Sequence, residues 1–292
     1  MGTRVRLLGA PGAPLAAAQA LIEDLEARLT RFDPASELCR LNADPREEIP
    51  ASPLLREAVH AALAGARATG GLADPTLLGA VVRAGYARSL IGRPRADLRE
   101  ALAAAPGPRP ASPHPAAVWR HVYVDDVAGT ITRPPGVALD LGGSAKGFAA
   151  DRAAALLAPY GTCAADLGGD LCVHGEHDVL VLDPLTGDVA DTLTLCNGGV
   201  ATSGIDRRIW WGPRGEPAHH LLDPLTGRPA WTGVVAATAL APSAALAEAL
   251  AKAALLAGPE KGRAILGRRG GVLFPAAPAL DGSPRPEIGA PA

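Results

Sequence analysis

The chain reads as a protein of mixed helices and strands, on two observations. Its first third carries apolar residues at helical spacing, and its middle and last thirds carry short apolar runs punctuated by Gly and Asp-Pro, the marks of sheet strands and their turns. With 292 residues, 48% of them apolar, there is material for one large domain or two intertwined ones, each with its own core.

Thr3 to Leu8 predicts a strand, and Leu15, Ala18, Ile22, Leu25 and Leu29 then recur as one face of a helix. Asp33-Pro34 ends that helix just after Arg31-Phe32, because a residue before proline is pushed out of the helical region. Ser36 and Cys39 to Asn42 predict one more short turn. A second helix is predicted from Pro53 to Thr69, broken by Gly70-Gly71, and Asp74-Pro75-Thr76 opens a new turn or helix. Residues 91–115 are rich in Arg, Ala and Pro, with a short helix over 96–104, and predict a surface excursion rather than core.

Val118 to Val124 and Gly129 to Thr132 flank Asp125-Asp126 as the arms of a hairpin. An apolar strand ending at Asp140 comes next, then the turn Gly142-Gly143-Ser144 and a helix running to Pro159. Strands are predicted at 163–167, 171–174, 179–182 and 191–195. Asp-Pro-Leu-Thr-Gly occurs at 183–187 and again at 223–227, which leaves open an internal duplication or two unrelated Asp-Pro turns. A strand over 233–240, an Ala-rich helix over 243–257 ended by Gly258-Pro259, and a strand over 271–274 complete a folded domain of residues 1–275. Residues 276–292, rich in Pro, Gly and Ala, predict a flexible tail.

A net charge of −2 and a pI of 6.4 provide no broad basic field for nucleic acid or an anionic membrane, so partners are to be recognised at a local site. No apolar run approaches the roughly 18 residues of a membrane span, and Met1-Gly2-Thr3-Arg4-Val5-Arg6 lacks the layout of a secretory signal, so a cytoplasmic location is expected. Cys39, Cys163, Cys172 and Cys196 form no CxxC pair and are expected to be small buried apolar residues.

The most informative stretch is Ala138 to Asp151, a strand, a glycine turn and a helix start. Such a junction either serves only the tight bend or aims unpaired N–H groups outward as a phosphate cradle. Six segments taken in order carry a resemblance. They are Met1-Gly2-Thr3; Phe32 to Leu38 with Asn42; Asp74-Pro75-Thr76; Asp140 to Asp151 with Gly168-Gly169-Asp170; Ala201-Thr202-Ser203-Gly204; and His219 to Gly227. Together they resemble the ApbE-like FAD:protein FMN transferases across nearly the whole chain.

The resemblance implies an α+β fold of two related, intertwined α/β subdomains around a flavin site. It also implies a reaction: the FAD pyrophosphate is cleaved, AMP leaves, and FMN is joined through a phosphoester bond to a Thr or Ser of an acceptor protein. On the same ground Met1, Phe32, Tyr86, Asp140, Gly142, Gly143, Ser144, Lys146, Phe148 and Ile205 stand at flavin-lining or cofactor-binding positions. His220 stands where the family has a histidine, immediately before Leu221-Leu222-Asp223-Pro224. Imidazole titrates near neutral pH, so His220 is the expected proton acceptor, with Asp223 the next residue to consider.

The family's metal ligands are an Asp and a Thr four residues later, with a backbone oxygen at the position of Ala145, holding Mg²⁺ at the phosphates. Here Glu248 and Lys252 replace that pair. An ammonium has three donors and no lone pair, so Lys252 cannot ligate a hard cation. Glu248 and Lys252 are expected either to pair at i and i+4, with Lys252 serving as phosphate counter-charge, or to lie together on a solvated helix face. The alternative function is a weakened or metal-independent FAD-binding protein, or a FAD hydrolase giving FMN and AMP.

Overall fold

The computed structural model describes residues 3–9, 11–90, 92, 94–267 and 270–276. The chain begins with β1 (Val5–Leu8) and α1 (Ala13–Leu29), whose Ala18, Ile22, Leu25 and Leu29 are buried on one face. α2 (Glu37–Ala43) starts at Ser36, whose hydroxyl accepts the Cys39 N–H at 3.0 Å. β2 (Glu48–Pro50) and α3 (Pro53–Ala68) come next, the latter capped by Ser52. Then follow α4 (Leu78–Arg83), α5 (Leu98–Ala104), β3 (Tyr123–Asp125), β4 (Thr130–Thr132) and α6 (Ala145–Leu157). The last half holds β5 (Cys163–Leu167), β6 (Leu171–Leu182), β7 (Val189–Gly204), β8 (Ile209–Trp211), β9 (Pro217–His219), β10 (Leu222–Asp223), β11 (Arg228–Pro229), β12 (Val234–Ala241), α7 (Ala244–Gly267) and β13 (Gly271–Pro275).

Among the described residues the main sheet runs β1-β5-β6-β7-β12-β13, antiparallel at every junction. A fully antiparallel sheet with its helices grouped on it is an α+β arrangement. One core packs α1, α2, α3 and α6 around Leu25, Leu38, Leu55 and Leu157. A second gathers β12, α7 and the segment around α5, with Val235, Leu255, Trp231 and Ala101 buried together.

Several elements depart from the sequence expectation for identifiable reasons. Residues 171–174 and 179–182 are one strand, not two, with a register shift between His174 and His177 where Gly175 takes φ 81°. Val118 to His121 is a 3-10 turn, so only the end of the first hairpin arm is extended. Ala138 to Leu141 is not a strand: the Asn42 side chain accepts the Leu139 N–H at 2.7 Å and donates to its carbonyl at 2.8 Å, and an amide group thus replaces a neighbouring strand. Gly258 (φ 80°) kinks α7 and does not end it, the helix continuing to Gly267. The excursion 91–115 reaches the interior, with Ala101 and Ala111 buried in the second core. Cys163 and Cys172 are buried and Cys39 is half-buried as small apolar residues, but Cys196 is exposed. The predicted tail lies, beyond Ala276, outside the described residues, as does Met1. Among the described residues no helix is long and apolar enough to cross a membrane.

Helices α6 and α7 meet closely. A Cβ on Gly147 would come within 2.5 Å of the Ala244 carbonyl oxygen. Asp151 of α6 accepts the first N–H groups of α7, from Ala244 at 2.7 Å and from Ala245 at 3.0 Å. These contacts set the register by which Glu248 and Lys252 reach the start of α6. Replacing Asp151 by Ala strips both caps, and the expected outcome is a loss of about 1–3 kcal/mol in urea denaturation, with Asp151→Asn recovering part of it. An unchanged midpoint for Asp151→Ala would show that packing alone holds this junction.

Candidate functional site

A cleft of about 1460 Å³ opens beside the sheet and the start of α6. At one end the chain leaving α1 presents Arg31 and Phe32, and the loop after α4 presents Tyr86. The rings of Phe32 and Tyr86 lie 5.5 Å apart, and the Arg31 guanidinium sits over both, 4.2 Å and 4.3 Å from their centroids. Trp210 of β8 backs Tyr86 at 5.7 Å and donates its indole N–H to the Ala84 carbonyl, which holds the loop in place. This is a shelf of planar groups.

At the turn before α6 the expected row of free amides is largely used up internally. Asp140 accepts the Gly142 N–H at 2.9 Å, the Leu141 carbonyl accepts those of Ser144 and Ala145, and Glu248 accepts that of Gly147 at 3.0 Å. Among the described residues only the amides of Gly143 and Lys146 are left without an acceptor at this turn. Side chains therefore carry most of the positive charge here. Lys146 pairs with Asp170, which the tight turn Gly168-Gly169 (φ 73° and 101°) brings back toward α6, and with Glu248 at 3.2 Å. Burial disfavours the Lys146 ammonium, yet these two carboxylates prevail and raise its pKa. Burial in turn raises that of Asp170.

Lys252, one turn further along α7, donates to the Gly143 carbonyl at 3.4 Å. Burial lowers its pKa, opposed by Glu248 and Asp140 and assisted by Lys146 and Arg208. The expected i,i+4 ion pair with Glu248 does not form, because Glu248 is taken by Lys146 and the Gly147 amide. Nor is this a solvated face, since Glu248 is only 3% exposed.

His220 lies between β9 and β10 and lines the cleft, its ring edge 6.4 Å from Tyr86. Its Nδ1 is buried without a partner. Burial first, then Arg208, His219, Lys252 and Lys146, hold its pKa well below the ordinary value of 6.5, so the ring is neutral at physiological pH. Its neighbour His219 is pushed down to about 3 by burial and accepts the Leu221 N–H, a structural part.

The cleft thus brings together Phe32, Tyr86, Asp140, Gly142, Gly143, Ala145, Lys146, His220, Glu248 and Lys252. It leaves Ser144, Phe148 and Ile205 buried behind its wall. Asp223 is also outside the lining, and its carboxylate accepts from Ser112, Leu225 and Thr226 to hold its own turn. Sequence reasoning assigned no role to Arg31, Arg208 or Asp170, all close to this chemistry. Arg31 adjoins Phe32 and Asp170 ends a Gly-Gly-Asp turn, whereas Arg208 carries no local signal. For Mg²⁺ the donor set does not fit: the Glu248 oxygens face an ammonium and an amide, and the second ligand position holds an ammonium with no lone pair.

In sequence the chain is 36% identical over 149 residues to a FAD:protein FMN transferase of Treponema pallidum, covering 45% of this chain and 41% of that protein. It is 38% identical over 144 residues to one of Rhodobacter capsulatus, covering 46% and 27%. The matched stretch therefore spans less than half the length of these relatives. In structure it resembles the ApbE protein of Thermotoga maritima, at 30% identity and a TM-score of 0.71, over 90% of this chain and 86% of that one. It also shares its fold with the flavin transferase ApbE of Vibrio cholerae, at 22% identity and a TM-score of 0.70, over 95% and 91%. The model of the ApbE family matches residues 1–274, nearly the whole folded chain, and the protein belongs to that family.

Proposed function

We propose that this protein is a FAD:protein FMN transferase, which cleaves the FAD pyrophosphate, releases AMP and attaches FMN to a Thr or Ser hydroxyl of an acceptor protein. The observation that carries the reading is a neutral, buried imidazole, His220, opening into the same cleft as the cations at the start of α6 and the planar shelf. Attack of a hydroxyl on a pyrophosphate needs those three things: a seat for the flanking rings, positive charge at the phosphates, and a site for the proton.

In this reading the shelf of Arg31, Phe32 and Tyr86 receives a planar ring of FAD, since a guanidinium stacks on such a ring as an arene does. Lys146, Arg208 and Lys252 surround the pyrophosphate. The acceptor oxygen forms a bond to the phosphorus on the FMN side, and the bond from that phosphorus to the bridging oxygen breaks. The bridging oxygen departs with AMP, and the acceptor proton passes to His220. Water in place of the acceptor hydroxyl would give free FMN and AMP. The altered Glu248 and Lys252 pair is the observation that favours keeping this hydrolytic outcome as the second reading.

Incubation of the protein with FAD and an extract of its source cells should yield AMP and a polypeptide that keeps flavin fluorescence on a denaturing gel. AMP with only free FMN would establish hydrolysis, and intact FAD would exclude both readings. His220→Ala should lower turnover by on the order of 10²-fold, the usual worth of a positioned proton acceptor, with the FAD dissociation constant little changed. Since His220 has a depressed pKa, it stays unprotonated as pH falls through 6.5, and the rate should show no break there but only further into acid. An acid limb centred at the ordinary histidine value would show that a solvent-exposed group controls the reaction.

A further inference from the structure

Lys252 is anchored in an unusual way for a partly buried ammonium. Its contact is a long one, 3.4 Å to the neutral carbonyl of Gly143, and it forms no ion pair among the described residues. The carboxylate four residues before it, Glu248, is held instead by Lys146 and the Gly147 amide. Three donors thus share one weak acceptor, an arrangement that costs free energy until an anion completes it. The turn below is shaped around this side chain, for a Cβ on Gly143 would fall on the Lys252 Nζ. The unpaired amides of Gly143 and Lys146 lie at the same turn. Arg208 adds charge from the opposite wall, close enough to depress His220 and Lys252 alike.

We propose that Lys252 anchors the FAD pyrophosphate on the Gly142-Gly143 turn in the place a divalent cation would take, so that this protein binds FAD without Mg²⁺. The proposal rests on the cleft being a FAD site. A fixed ammonium and two amides supply hydrogen bonds as well as charge, and they are present before the ligand arrives. They also keep Glu248 as a structural clasp and not as a ligand.

The test is equilibrium binding to the full chain, read by flavin fluorescence, with FAD and with riboflavin, which has the ring system but no phosphate. Wild type should bind FAD equally in EDTA and in excess Mg²⁺. Lys252→Met should weaken FAD by about tenfold to hundredfold, the worth of a charged hydrogen bond, and leave riboflavin affinity and the thermal midpoint unchanged. Lys252→Arg, which keeps the cation, should retain most of the FAD affinity. The proposal is overturned if wild type loses FAD in EDTA, if Lys252→Met binds FAD as wild type does, or if that variant loses riboflavin to the same degree. Should wild type bind neither flavin under either condition, the transferase reading fails and this proposal with it, an outcome distinct from the other three.

Discussion

The site depends on the clasp between α6 and α7. Glu248 receives the Lys146 ammonium on one oxygen and the Gly147 amide on the other, while Asp151 returns two hydrogen bonds to the first turn of α7. Each helix terminates the other's unsatisfied amides, so neither start needs water. Two helices separated by about ninety residues of sheet are thereby held in one register. Gly147 makes the approach possible, because any side chain there would meet the Ala244 backbone.

From that register the electrostatics of the cleft follow. Lys146 is neutralised by Asp170 and Glu248 and serves the fold as much as the cleft. Lys252, one helical turn beyond Glu248, projects past the clasp to the glycine turn with its charge uncompensated. The cations in turn keep His220 neutral, so proton acceptance and phosphate binding are coupled through the same field. A site with this layout holds its positive charge in covalent side chains.

The glycine turn shows how far local pattern can be carried. Gly142-Gly143-Ser144 does open a helix beside the cleft, as read from the sequence, yet most of the amides that the pattern seems to offer are engaged by Asp140, Leu141 and Glu248. Two of those acceptors are neighbours in sequence, and the third is on α7. Similarly, the apolar run before Asp140 was read as a strand from its composition, and the Asn42 side chain, almost a hundred residues away, occupies the partner's place. The kink at Gly258 is of the same kind: a Gly-Pro pair that would end an isolated helix is bridged because both flanks are buried in the second core.

The helices α1, α3 and α6, the strands β5 and β12, the two Asp-Pro-Leu-Thr-Gly turns and the phosphate-facing turn were legible in the chain, because periodicity, proline and glycine act on neighbouring residues. The presence of Phe32, Tyr86, His220 and Lys252 at one site was legible only through resemblance, as nothing in their spacing brings them together. What tertiary structure alone decided is which polar groups are already satisfied. Glu248 is claimed by Lys146 and not by Lys252, Asp223 by its own turn, and Arg31 by two aromatic faces. Hydrogen-bond and ion-pair partners are chosen by distance in space and by the loss of competing water on burial, and neither quantity is encoded in the local order of residues.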